Sequence, residues 1–304
     1  MNDDDQLRRG AIAGLSAYLI WGLLTVYWKQ LRGFDAFELI GWRITLSAVV
    51  MAAVLTATRR WTHLRPVVRD RHLLGRSALA ALLLTVNWTS YVWAVVHDHI
   101  LETALGYFMA PLGTMMVGVV VLHERLRRAQ WVAIAFAVAA VAVLTYSYGS
   151  VPWLALAIAV SWTGYGYLKR QIPLTAVESM AAESFILLVP ALIVVVALAG
   201  QADSIPSSAS AAQFTLVLFS GVATIVPLTL FAFAAQRVPF TILGPMQYSV
   251  PTMNFLLGWL VYHEALPGTR VIGFALVWVG LMLLTLDSAR HSRASRVTLE
   301  PIPA

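Results

Sequence analysis

Stretches of about 20 apolar residues without an exposed charge recur along this chain, and no other feature limits its folding so tightly. A bilayer core roughly 30 Å thick is crossed by a helix of about that length. Ten stretches qualify: residues 10–31, 37–58, 73–96, 103–122 and 129–147, then 151–168, 179–199, 213–235, 241–262 and 269–286. Apolar and polar residues do not alternate within them, which argues against the strands of a membrane barrel. Composition agrees, since 59% hydrophobic and 12% charged residues could not coat a soluble domain. The reading is an all-α membrane protein of ten transmembrane helices.

Lysine and arginine orient such a bundle, because short cytoplasmic loops retain them. Threading the spans divides the 21 cations unevenly: 17 fall on the side of both termini, six of them between Arg59 and Arg76. Lys29, Arg32 and Arg270 fall opposite, and Arg43 sits inside a span. Both ends are therefore expected in the cytoplasm, with the protein in a bacterial inner membrane. The net charge of +6 comes from these loops and calls for no nucleic acid partner. The first stretch follows Arg8 and Arg9 as a signal peptide would, yet it is longer than an h-region and is read as a retained helix. The chain has no cysteine, so disulfides and thiolate metal sites are excluded.

Laying the second part of the sequence over the first in one constant register places Tyr27 on Tyr167, Lys29 on Lys169, Glu38 on Glu178, Pro111 on Pro251, Gly118 on Gly258, His123 on His263 and Glu124 on Glu264 without a gap. The expected organisation is a cytoplasmic segment 1–9, a first five-helix repeat 10–147, a second 151–287 and a cytoplasmic tail 288–304. An odd number of spans per repeat inverts the second relative to the first. Such an architecture can exchange inward-open and outward-open arrangements around a central site. No GxxxxGK[ST] phosphate loop is present, which favours a secondary carrier.

Candidate solute-binding residues are the aromatic and amide side chains at helical spacing in these spans. They are Trp21, Asn87, Tyr91, Tyr107, Thr114, Trp162, Tyr165, Gln247 and Asn254. Asn87, Gln247 and Asn254 carry most weight, because an amide in lipid must find partners. Such a lining suits flat or amphipathic solutes better than phosphates or inorganic ions. Gating or coupling residues are the span charges Glu38, Arg43 and Glu183, with Arg43 and Glu183 weighed as a structural ion pair, and the hinge prolines Pro111 and Pro251. Glu124 and Glu264 are read as serving the turns before the fifth and tenth helices. The cluster His97, Asp98, His99 and Glu102 needs no metal, and no cofactor is expected.

The segments AYLIWGLLTVYWKQL from Ala17, NWTSYVWAV from Asn87, ETALGYFMAPL from Glu102, HERL from His123 and QYSVPT from Gln247 resemble the RarD-type branch of the EamA family, in the drug/metabolite transporter superfamily. The resemblance spans residues 10–287 and implies a ten-helix inverted-repeat carrier with a cavity between the repeats. The expected function is a secondary exporter or permease of small organic metabolites or drugs. Its partners would be the solute and the lipid bilayer, with protons as coupling ion and a second copy of the chain as open alternatives. A membrane sensor or membrane-embedded enzyme is the competing class, and enzymatic activity is not expected.

Overall fold

The computed structural model describes residues 3–120, 128–235, 237–238 and 246–297. Its longer helices are α1 (Asp3–Lys29), α2 (Ala36–Ala57), α3 (Arg71–Val96), α4 (Ile100–Val120), α5 (Arg128–Tyr148), α6 (Trp153–Gln171), α7 (Ala176–Leu198), α8 (Ala211–Ala235), α9 (Ser249–Leu256) and α10 (Gly268–Val297). Among the described residues there is no strand, and six helices are long and apolar enough to cross a membrane. Shorter apolar helical stretches cover Ile100–Ala110, Trp131–Ser147 and Ser249–Val261.

Short polar side chains start several of these helices. Asp35 accepts hydrogen bonds from the amides of Phe37 at 2.8 Å and Glu38 at 3.1 Å, satisfying donors that the first turn of α2 leaves open. Asp70 does the same for His72 and Leu73 of α3. Thr175, which takes the repeat position of Asp35, opens α7 with a reciprocal capping box to Glu178.

Two ends run past the apolar limits. The helix α1 begins at Asp3, and α10 continues to Val297 beyond residue 286, because backbone hydrogen bonding does not stop where lipid does. The expected span 241–262 differs in kind. Its described part is α-helical only over Ser249–Leu256 and continues as a π-helical turn, Leu257–Val261. Residues 241–245 and the His123–Leu126 motif lie outside the described residues.

The most extensive helix pairs all join the chain before residue 150 to the chain after it. The helix α5 lies along α10, α6 packs on α3 and α4, α2 on α7 and α8, and α1 on α8 and α9. Small residues permit the closest of these approaches. A Cβ on Gly221 of α8 would stand 2.7 Å from the carbonyl carbon and oxygen of Leu46 in α2. One on Gly106 of α4 would stand 2.8 Å from the carbonyl oxygen of Ala155 in α6.

Aliphatic side chains such as Val160, Val196 and Met282 point outward, more than 60% exposed, which fits lipid as the surrounding solvent. Gly221→Val should separate α2 from α8 and cost about 1–3 kcal/mol. Thermal denaturation in detergent should show a lower midpoint for it, whereas Gly166→Ala, with nothing within 4 Å of the added carbon, should leave the midpoint in place.

Candidate functional site

Polar side chains inside an apolar bundle can bond only to one another or to backbone. Thr25 of α1 donates to Asn254 Oδ1 of α9 at 2.7 Å, and its hydroxyl oxygen lies 2.8 Å from Tyr91 Oη of α3. Having given its one proton away, Thr25 accepts from Tyr91. Asn254 Nδ2 donates to Thr103 Oγ1 of α4 at 3.1 Å, so one amide ties three helices. Thr25, Thr103 and Asn254 are wholly buried.

A second group adjoins the first. Tyr107 of α4 donates to Asn87 Oδ1 of α3 at 3.0 Å, and Asn87 Nδ2 donates to Ile158 O and Ser161 Oγ of α6 at 3.1 and 3.2 Å. Aromatic rings connect the groups: Tyr91 meets Tyr107 edge-on at 6.1 Å, Tyr107 meets Trp162 at 6.2 Å, and Trp162 meets Tyr165 at 5.9 Å. Six of the nine sequence-expected binding residues are thus contiguous.

The other three stand elsewhere. Trp21 packs on Tyr18 and Phe231. The side chains of Thr114 and of the hinge residue Pro111 lie outside the described residues. Gln247 is exposed in the turn before α9 and does not join the buried amides. Pro251 is buried in the first turn of α9, one turn ahead of the π-helical segment.

Charges in the spans are arranged differently from expectation. Arg43 and Glu183 hold equivalent positions in the two repeats but do not pair. Glu183 Oε1 takes Lys169 Nζ at 2.7 Å and Ser179 Oγ at 2.9 Å, while Oε2 takes Tyr165 Oη at 3.2 Å; Lys169 also donates to Ser179. Arg43 donates from Nε to Thr224 Oγ1 at 2.9 Å and stacks over Trp88, its central carbon 4.0 Å from the ring. Trp88 and Glu183 also border a gap too tight for a water molecule, with Ile44, Leu84, Met180, Ser184 and Leu187 around it.

The end of the bundle carrying Lys29 is closely tied. Lys29 pairs with Asp98 and donates to Val95 O at 2.8 Å. Glu264 accepts from the amides of Ile100 at 2.6 Å and Leu101 at 2.8 Å, so it caps α4 rather than serving the turn before α10. Burial pushes its carboxyl above the ordinary range, against the pull of those two amides. Glu124 lies outside the described residues. Glu38 accepts from the amide of Ile205 at 3.0 and 3.2 Å and anchors the short helix Ile205–Ser208. His99 bonds Glu102 at 2.9 Å, and His97 bonds Trp93 O at 2.8 Å.

Thr103 and Thr224 were not legible as site residues. Neither has a polar counterpart at the repeat position, where Leu243 and Leu84 stand, and a lone threonine in an apolar run carries no other signal.

A helical bundle with an apolar exterior and a polar interior seam defines a multi-pass membrane protein. More specifically, the chain belongs to the EamA-like transporter family, whose pattern matches residues 8–146 and again 150–286. It is similar to Protein RarD of Streptomyces exfoliatus, 41% identical over 99% of this chain and 95% of that one. The transporter YojE of Bacillus subtilis is 34% identical over 96% of this chain and 98% of its own. The chloramphenicol-sensitive protein RarD of Pseudomonas aeruginosa is 27% identical over 94% and 96%. A solved crystal structure, 20% identical, superposes with a TM-score of 0.59 over 92% of this chain and 98% of its own, a likeness of fold alone.

Replacing Lys169 by Met would leave the carboxylate of Glu183 buried without its cation, a loss of about 3 kcal/mol. Thermal denaturation should register that loss, and the double variant Lys169→Met, Glu183→Leu should recover most of it.

Proposed function

We propose that this protein is a secondary carrier, an exporter or permease, that moves small organic solutes across the bacterial inner membrane by alternating access. In this reading ten spans form two inverted repeats, residues 10–147 and 151–287, and both termini are cytoplasmic. The family pattern occurring twice along the chain supports the duplication.

The packing supports it further. The register that lays Tyr27 on Tyr167 turns α1 into α6, α2 into α7, α3 into α8, α4 into α9 and α5 into α10. Under that exchange the contact of α1 with α8 becomes that of α6 with α3, and α4 with α6 becomes α9 with α1. The pair α2 with α8 becomes α7 with α3, while α2–α7, α4–α9 and α5–α10 map onto themselves.

Two mixed units result, α1, α2, α8, α9 and α3, α4, α6, α7, each the image of the other. Because the extensive contacts cross between sequence halves, we take the moving bodies to be these mixed units, which meet along α2–α7 and α4–α9, and not the halves themselves.

The observation that carries the proposal is the seam between the units. Thr25 with Tyr91, Asn254 with Thr103, and Arg43 with Trp88 all bridge it. A solute entering there would exchange with hydrogen bonds that already exist, at modest cost per bond. The Lys29–Asp98 pair and the Glu264 cap cross the same seam at one end, so opening that end means breaking both. Proton coupling is assigned to Glu183, the buried carboxylate whose loss of charge would release Lys169.

Counterflow in liposomes containing the purified chain, screened against small amphipathic solutes, tests the reading. Asn87→Ala and Asn254→Ala should each lower flux about tenfold at unchanged membrane abundance, since each strands buried partners, whereas Gln247→Ala should keep the wild-type rate. Reporter fusions at the two ends should both report the cytoplasm; ends on opposite faces would end the inverted-repeat proposal.

A further inference from the structure

Charge buried in a membrane bundle has to be balanced. Six acidic or basic side chains are buried among the described residues: Lys29, Glu38, Arg43, Glu102, Glu178 and Glu183. Lys29 has Asp98, Glu102 has His99, Glu178 has His63 and Glu183 has Lys169. Glu38 has the amide of Ile205. Of the two cations in this set, Arg43 alone has no carboxylate.

Arg43 is 4% exposed, and of its five N–H donors the one on Nε reaches Thr224. Among the described residues no carboxylate pairs with it. Its surroundings are aromatic instead, with the Trp88 ring at 4.0 Å, the Trp28 ring at 5.4 Å, and Tyr91 and Tyr107 in the same cluster. Contact with ring faces returns only part of the solvation that a guanidinium gives up on burial. The guanidinium lies on the seam between the two mixed units, where the carrier reading places the solute.

We propose that Arg43 is the recognition residue for an organic monocarboxylate with an aromatic or branched apolar body. The carboxylate engages the two terminal nitrogens of Arg43 in the bidentate geometry that a guanidinium favours. The body lies along Trp88, and the tight gap bordered by Ile44, Leu84, Met180 and Glu183 must widen to admit it. Glu183, the one carboxylate bordering that gap, is committed to Lys169. An α-ammonium group would therefore find no counter-charge, and the class is the simple acid and not the amino acid.

This assignment rests on the carrier reading, and the test separates the two. Radiolabelled phenylacetate binding to the purified full chain at neutral pH, followed by counterflow in liposomes, is compared with phenylacetamide, phenylalanine and chloramphenicol as competitors. Unlabelled phenylacetate should compete, and the isosteric neutral amide should compete at least about tenfold less well. Arg43→Gln should lose carboxylate binding about 100-fold, and Arg43→Lys should retain part of it.

Should Arg43→Gln fail to reach the membrane, the comparison of acid with amide on the unaltered chain decides alone. Equal competition by acid and amide, or preference for phenylalanine, overturns the role of Arg43 while leaving the carrier intact. Transport of chloramphenicol without phenylacetate does the same. Failure of every solute to move overturns both.

Discussion

Lipid offers no hydrogen-bond partner, and the internal arrangement of this molecule follows from that deficit. Each amide or hydroxyl in an apolar helix must be turned toward another helix, and the seam is where those obligations meet. Asn254 shows how few groups are needed. Its carbonyl takes the proton of Thr25 and its amino group gives one to Thr103, so a single side chain holds α1, α4 and α9 in register. Bonds of this kind in membranes are individually weak, of the order of 1 kcal/mol. They specify which helices meet without locking them there.

Apolar spans are local, and six of the described helices are long and apolar enough to be among those expected. Apolar length is found by counting, and Asp35, Asp70 and Thr175 bond to amides two or three residues away. Asn87 and Asn254 also stood out, since an amide in lipid has to be satisfied wherever it lands. Long-range partners were not legible. Nothing near Glu264 points to Ile100, which lies 164 residues earlier, and the repeat that relates Arg43 to Glu183 says nothing of which lysine will claim the carboxylate. Thr224 can satisfy its proton on Ser220 O of its own helix, so its service to Arg43 leaves no trace in the residue pattern. Gln247 misled for the opposite reason: it shares the repeat position of Tyr107, but the chain has not yet entered α9 there.

The interleaving of the two sequence halves alters the mechanical picture that duplication alone suggests. If each half packed mainly within itself, the natural motion would be one half against the other. Here the close glycine contacts, Gly221 against Leu46 and Gly106 against Ala155, lie within mixed units and join residues from both halves. In the proposed carrier the rigid bodies are assembled from both copies of the repeat. Cooperation between the copies is then built into the packing and needs no separate signal.

Arg43 and Glu183 give one equivalent position of the two repeats opposite charge signs, and this has an energetic meaning. The environment assembled around Lys169 and Glu183 has as its image the environment of Lys29 and Arg43, two cations that cannot adopt the same pairing. Whatever symmetry the proposed duplication has, it fails for the electrostatics at this position. In the proposed carrier, two conformers that a perfect duplication would make isoenergetic are split, which gives the unloaded molecule a preferred resting face.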